Sequence, residues 1–288
     1  MSETTTTSGL ADPAARRELM SGVDPEPGSS KPDAILRVDN ISRHFGGITA
    51  VDVEHLEVQR GIITALIGPN GAGKTTFFNL ITGFDRPSSG QAAHWSFDGA
   101  TLDRTSASRV ARSGMVRTFQ LTKALSRMTV MDNMMLGAQN QAGENLAKCL
   151  FKPFWGAQEK NVETKALELL ERFSLHEKLK DYAGSLSGGQ RKLLEMARAL
   201  MSDPKMIMLD EPMAGVNPAL TQSLLGHIQS LRDEGTTVLF VEHDMHVVRH
   251  ISDWVVVMAE GRLVAEGTAD KVMSNQAVID AYLGVSHG

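Results

Sequence analysis

The run Gly68-Pro69-Asn70-Gly71-Ala72-Gly73-Lys74-Thr75 lies between a stretch rich in apolar residues, Ile62-Ile63-Thr64-Ala65-Leu66-Ile67, and a helical pattern, Thr75-Thr76-Phe77-Phe78-Asn79-Leu80-Ile81, that ends near Gly83. The first stretch reads as a buried strand and the second as a helix, so the glycines make the turn between them. In this strand–loop–helix order, G-x-x-x-x-G-K-[ST] cradles a polyphosphate: successive backbone N–H groups wrap the anion and the helix presents its positive N-terminal end. On that reading Gly68 to Thr75, with Thr76 behind them, form the cradle, Lys74 reaches the β/γ-phosphates and the Thr75 hydroxyl ligates Mg²⁺. A glycine-rich turn with a chance lysine is the bland alternative, and the full match in its required context outweighs it.

At 288 residues, with 42% hydrophobic and 22% charged side chains, the chain can hold one large domain or two small ones around a sizeable core. A formal net charge of −5 with scattered basic residues offers no electrostatic footprint for nucleic acid or anionic lipid. The single cysteine, Cys149, excludes an internal disulfide and a Cys-rich metal site and fits a reducing compartment. The start, Met1-Ser2-Glu3-Thr4-Thr5-Thr6-Thr7-Ser8, lacks the features of a secretory signal, and no apolar run approaches the ~18–20 residues needed to span a bilayer. The expectation is a soluble, cytoplasmic chain that meets a membrane only through a partner.

Residues 1–34 are rich in Thr, Ser, Pro, Gly and charge, so a disordered tail is expected, with only Ala14 to Met20 able to turn helical. Short β-rich stretches follow at Ile35–Val38, Val51–Glu54 and Leu56–Val58 and suggest an antiparallel layer. Helical spacing dominates from Ala107 to Met201: Ala166, Leu169, Leu170 and Phe173 share one face, as do Leu193, Leu194, Ala197, Leu200 and Met201. A helical subdomain inserted at roughly 121–190 is expected. Strands return at Met206–Leu209 and Thr237–Val241 with a helix between them, which implies a parallel sheet covered on both faces. Trp254–Met258 and Arg262–Ala265 read as a late hairpin across Glu260-Gly261.

Asp210-Glu211 closes the strand Met206–Leu209, which is expected beside the phosphate-loop strand, with both carboxylates at the end where α/β sheets place ligands. Asp210 is suited to hold Mg²⁺ through its water, and Glu211 to polarise the water that attacks a γ-phosphate. Leu186-Ser187-Gly188-Gly189-Gln190 stands immediately before a helix, where exposed N–H groups again favour an anion.

With both glycine motifs and the acidic pair in this order, the chain resembles the ATP-binding subunit of ABC transporters from about Leu36 to Gly284. The resemblance implies a RecA-like phosphate-loop NTPase core of α/β class, carrying an antiparallel β subdomain and the helical insertion; residues 35–284 form the domain and 285–288 a short tail. It also implies roles. Gln120, in Arg117-Thr118-Phe119-Gln120, resembles the glutamine that senses Mg²⁺ and the attacking water. His243 resembles the histidine that contacts the γ-phosphate, and Phe45 the aromatic that stacks on adenine. Ser187, Gly188, Gly189 and Gln190 resemble the signature offered to ATP held by a second ATPase subunit, and Met213 to Pro218 the loop that crosses to that partner.

Ala214-Gly215-Val216-Asn217-Pro218 departs from the commonest family form, Ser-Ala-Leu-Asp. Together with Arg117 to Gln120, Glu242-His243-Asp244-Met245 and Ala281-Tyr282-Leu283-Gly284, it resembles the subgroup serving branched-chain and other hydrophobic amino-acid importers. Many members of that subgroup begin the signature Leu-Ala-Tyr-Gly or Leu-Pro-Tyr-Gly, where this chain has Leu186-Ser187-Gly188-Gly189. The methionines Met128, Met131, Met134 and Met135 lie just after the Gln120 segment, in a region that in the family borders the groove for a permease helix, although core filling suits most of them. The implied protein is an ATPase motor with ATP and Mg²⁺ as its ligands. Its implied partners are a second, identical or different, ATPase subunit, membrane permeases and indirectly a solute-binding protein. An exporter of lipid or lipopolysaccharide type uses a similar ATPase and stays open as an alternative. A non-transport ABC ATPase is disfavoured by the absence of a basic patch, a coiled-coil insertion or a second cassette.

Overall fold

The computed structural model describes residues 12–88, 93–118, 125–138 and 156–283. They divide into two compact units: residues up to Met115 with Lys205–Pro212 and from Ile228 onward, and Val116–Pro204 with Met213–His227.

In the first unit, β1 (Ala34–Phe45) and β2 (Ile48–Gln59) form a long antiparallel hairpin turned at Gly46-Gly47. β3 (Ile63–Ile67) carries the chain into the phosphate loop. β4 (His94–Phe97) and β5 (Ala100–Thr101) complete a four-stranded sheet in the order β2-β1-β4-β5. The three short stretches expected here are thus two twelve-residue strands, extended at both ends by pairing to each other, and β4 lacks the length to stand out in the sequence.

The second sheet contains β6 (Met115–Arg117), β7 (Met206–Asp210), β8 (Thr237–Val241), β9 (Trp254–Ala259) and β10 (Arg262–Gly267) with β3, in the order β10-β9-β3-β8-β7-β6. β3, β7, β8 and β9 run parallel, and β9–β10 is the expected antiparallel hairpin. Every residue of β3, β8 and β9 is buried, which explains why these strands read as continuous apolar runs rather than alternating ones. One expectation is corrected: the Asp210 strand is not beside the phosphate-loop strand, because β8, which comes later in the chain, pairs with both and separates them. Trp254, Phe77, Phe78, Phe97 and Phe240 are among the largest fully buried side chains.

The expectation of a loose tail through residue 34 is corrected for its described part. A helix, Pro13–Met20, starts on the Asp12 cap, and Met20 is buried in the core. Further on, the buried Lys31 ammonium lies 3.1 Å from both carboxylate oxygens of the buried Glu266. Glu266 also accepts from the Ser29 N–H at 2.6 Å and the Trp254 indole N–H at 3.1 Å, and Glu57 accepts from the Lys31 N–H at 2.6 Å. Low hydrophobicity suggested disorder, but this segment is held by a buried ion pair and hydrogen bonds, which a count of apolar residues does not see.

The second unit is built on helices Val130–Met135, Gly156–Arg172 and Gly188–Leu200 and the first part of Pro218–Asp233. Most of the faces read from spacing are buried: Ala166 and Leu170 in one helix with Phe173 just past its end, and Leu193, Leu194, Ala197 and Leu200 in another with Met201 just past its end, are all at most 7% exposed, while Leu169 is half-buried. Met134 is also buried, filling the core.

Breaking a buried ion pair by removing one partner typically costs about 3–5 kcal/mol. Lys31→Ala is therefore expected to lower the unfolding free energy by about 3 kcal/mol in urea titration. An unchanged midpoint would mean that Glu266 does not depend on the N-terminal segment.

Candidate functional site

The loop after β3 has a shape that side chains would prevent. Gly73, the cap of helix Lys74–Ile81, has φ 99°, and a Cβ there would stand 2.2 Å from the Ala50 carbonyl oxygen. At Gly68 a Cβ would stand 2.0 Å from the Met258 carbonyl oxygen. Two glycines are thus required by close backbone approach as well as by φ. The loop is held from behind by Gly261, in the β9–β10 turn, whose N–H donates to the Ala72 carbonyl at 3.1 Å and whose carbonyl accepts from Asp52 N–H at 2.8 Å.

Lys74 opens the helix, and its ammonium donates to the carbonyls of Gly68 at 2.6 Å and Pro69 at 2.9 Å. Burial lowers its pKa, while the charges of Glu211 and then Asp210 act in the opposite direction, so the lysine and both carboxylates share one electrostatic site. Asp210 ends β7. Glu211 follows with φ 45°, an unusual backbone for a non-glycine residue that costs about 1–3 kcal/mol. Its N–H donates to the Val241 carbonyl at 3.0 Å, which ties the bend to the end of β8. His243 lies two residues beyond β8 with a largely exposed ring, its Nδ1 3.8 Å from the buried Glu242. Lys74, Asp210 and Glu211 thus share one site at the C-terminal ends of parallel strands, where such sheets bind ligands, and His243 follows the C-terminal end of the intervening strand β8.

Phe45 sits at the tip of β1, 49% exposed, with the Arg43 guanidinium 4.6 Å from its ring centroid. Thr75 and Thr76 lie in the first turn of helix Lys74–Ile81. Gln120 falls outside the described residues, as does Cys149.

The second unit orders the other glycine motif by itself. Ser187 caps helix Gly188–Leu200: its hydroxyl accepts from Gln190 N–H at 3.2 Å while the Gln190 side chain accepts from Ser187 N–H at 3.0 Å. Gln190 is thus committed to the cap. Gly188 is exposed, but Gly189 is buried, and a Cβ on it would press on Leu220 at 3.1 Å and Val216 at 3.3 Å. Asn217, standing where the commonest form has Asp, accepts from Leu220 N–H at 2.9 Å and caps the next helix, a role either residue fills.

The profile of the family described as "ABC transporter" matches residues 51–214. The probable branched-chain amino acid transport ATP-binding protein LivG of Archaeoglobus fulgidus is 38% identical over 250 residues, covering 87% of this chain and 95% of the relative. The chain belongs to the ABC transporter family. A second ABC relative, the high-affinity branched-chain amino acid transport ATP-binding protein BraF of Pseudomonas aeruginosa, is 40% identical over 252 residues, covering 87% of this chain and 98% of its own. The crystal structure of a nucleotide-free ATP-binding cassette from an ABC transporter superposes with TM-score 0.75 at 37% identity, covering 86% of this chain and 98% of that one. A cassette in its ADP conformation gives 0.74 at 36%, covering 87% and 99%. Residues 262–288 match a further family, "Branched-chain amino acid ATP-binding cassette transporter".

Three parts of this ABC cassette were not assigned roles from the sequence. Asp244, read only as part of a motif, caps helix Met245–Ile251, accepting from His246 N–H at 2.8 Å; an Asp one residue before an apolar pattern was a usable signal. The Gly261 brace depends on tertiary contact and has no local signature. Tyr282 stands beside the Gly68 backbone, and burial pushes its pKa up to about 12. No helix among the described residues is long and apolar enough to cross a membrane.

Gly73→Ala adds a Cβ against the Ala50 carbonyl at a φ that alanine disfavours. It is expected to remove measurable ATP binding in equilibrium titration while far-ultraviolet circular dichroism is retained, and wild-type affinity would show that the loop tolerates the shift.

Proposed function

We propose that this chain is the ATP-hydrolysing motor subunit of an importer of branched-chain or other hydrophobic amino acids, attached to the inner face of the cell membrane through separate permease subunits. The reading is carried by the shared site of Lys74, Asp210 and Glu211 at the C-terminal strand ends, with His243 following the strand between them, in a chain whose last residues match the branched-chain cassette family. Relatives named for branched-chain amino acid transport favour import over lipid or lipopolysaccharide export.

Backbone N–H groups from Gly68 to Thr75 wrap the triphosphate, Lys74 pairs with its β/γ oxygens and Phe45 stacks on adenine. The Thr75 hydroxyl and Asp210 carboxylate are hard oxygen donors that fit Mg²⁺, with Gln120 added by family resemblance. When bound, the ion neutralises charge developing on the β and γ oxygens. Glu211 accepts the proton of the attacking water, and His243 contacts the γ-phosphate. Ser187, Gly188 and Gly189 of a second ATPase subunit, identical or related, close the site from the opposite side. Closure moves the permeases, and phosphate loss reopens them; a solute-binding protein delivers the amino acid to the permeases and reaches this chain only through them.

Glu211→Gln keeps the shape of the side chain but removes its basicity. ATP affinity is expected to stay within a few-fold while phosphate release falls by about a hundredfold or more, and a dimer accumulates on size-exclusion chromatography with ATP. Release within a few-fold of wild type would remove Glu211 as the base. For the transported solute, vesicles containing the co-purified permeases, this subunit on the outside and a solute-binding protein in the lumen are expected to move leucine from the lumen to the ATP side, the import direction, only when ATP is supplied. No leucine movement, together with a lipid-bridging partner in the co-purified complex, would favour export instead.

A further inference from the structure

Phe45 stands at the tip of a two-stranded hairpin beside two glycines, a place where an aromatic ring is ordinarily free to change rotamer. Here it is not left alone. The Arg43 guanidinium lies 4.6 Å from the ring centroid and covers one face, while the ring remains 49% exposed overall. Arg43 is fixed in turn: its Nε donates to Asp85 Oδ2 at 2.9 Å, both side chains being only about a quarter exposed.

Asp85 is itself immobilised. Its backbone N–H donates to the Asn79 carbonyl at 3.1 Å, in the helix that Lys74 begins, and its second carboxylate oxygen accepts from Arg86 N–H at 2.7 Å. Just beyond, Ser88 clasps the end of β1: its N–H donates to the Ser42 carbonyl at 2.9 Å and its hydroxyl accepts from His44 N–H at 2.9 Å. A continuous run of contacts thus leads from the phosphate-loop helix through Asp85 and Arg43 to the face of Phe45.

We infer that Arg43 and Asp85 are positioning residues for nucleobase recognition: they hold the Phe45 ring from one side so that its open face receives the purine of the nucleotide. The inference rests on the reading of Phe45 as the base-stacking residue. The physical gain is preorganisation, because a ring fixed before the base arrives loses less freedom on binding. A cation held over an aromatic at a surface contributes about 0.5–1 kcal/mol, equivalent to a two- to fivefold change in affinity. The direct base–aromatic stack is worth more, on the order of tenfold or above. The brace acts on the base alone, while the phosphates are held by the loop.

The test titrates the full-length protein with ATP and, separately, with inorganic tripolyphosphate, which carries the charge but no base. Phe45→Ala is expected to weaken ATP on the order of tenfold. Arg43→Gln and Asp85→Asn are each expected to weaken it about two- to fivefold, and the double variant no more than the weaker single, because both act through one link. Tripolyphosphate affinity and thermal midpoint should stay at wild-type values in all four. If Phe45→Ala leaves ATP affinity unchanged, the base-stacking reading itself fails. If Phe45→Ala weakens ATP but Arg43→Gln and Asp85→Asn do not, stacking stands and the brace is overturned. Tighter ATP binding by Arg43→Gln overturns it too, by showing that the guanidinium blocks the ring. Equal loss of ATP and tripolyphosphate overturns it as a merely structural effect.

Discussion

The nucleotide site depends on how the loop between β3 and its helix is kept open from behind. The glycine loop bends away from its own strand; Lys74 bonds the Gly68 and Pro69 carbonyls from within it, and the bend is braced from outside as well. The outer brace is Gly261, which takes the Asp52 N–H on its carbonyl and gives its own N–H to the Ala72 carbonyl. One residue of the β9–β10 turn therefore joins the antiparallel sheet, through β2, to the phosphate loop. The fit is close on every side: a Cβ at Gly261 would stand 3.1 Å from Ala50, as one at Gly73 would collide with the same residue. Tyr282 stands beside the Gly68 backbone. The cradle is thus shaped by β2, the β9–β10 turn and the last described helix, so its N–H groups are arranged before any anion arrives. Preorganised donors of this kind favour charge without the reorganisation that water would require.

Strand order distributes the remaining chemistry. Because β8 pairs with both β3 and β7, the His243 segment leaves the sheet between the phosphate loop and the acidic pair. The same order explains the bend at Glu211. Its N–H reaches across to the Val241 carbonyl, and that hydrogen bond offsets part of the cost of a left-handed backbone. The side chain is turned out of the strand direction that Asp210 still follows. On the proposed mechanism the two adjacent carboxylates take different tasks, the one at the strand end toward an ion and the one beyond it toward a water.

What was legible in the sequence follows from what each signal measures. The phosphate loop, the acidic pair and the signature turn are local: their residues are consecutive, and the chemistry needs them consecutive. The continuous apolar runs of β3, β8 and β9 announced a sheet covered on both faces, and the helical faces through Ala166 and Leu193 were read from spacing alone. Strand order was not legible, because no local signal says that a later strand will enter between two earlier ones. The segment before Ala34 was misread for a related reason: Lys31 and Glu266 are 235 residues apart, and each alone looks like a solvated charge.

The two glycine motifs show different uses of the same residue. Around Gly68 and Gly73 the absent side chain makes room for neighbouring carbonyls and permits positive φ, so the glycines shape a concave cradle. At Gly189 the absent side chain admits Val216 and Leu220, and Ser187 with Gln190 satisfies the helix start reciprocally. This second motif is therefore a rigid, convex turn with the exposed Gly188 at its front, ordered by contacts within its own unit. On the proposed mechanism that difference is functional. A concave cradle can hold a triphosphate continuously, whereas a stiff convex turn presented by another subunit can only touch it when the two come together, which lets ATP act as the link between subunits.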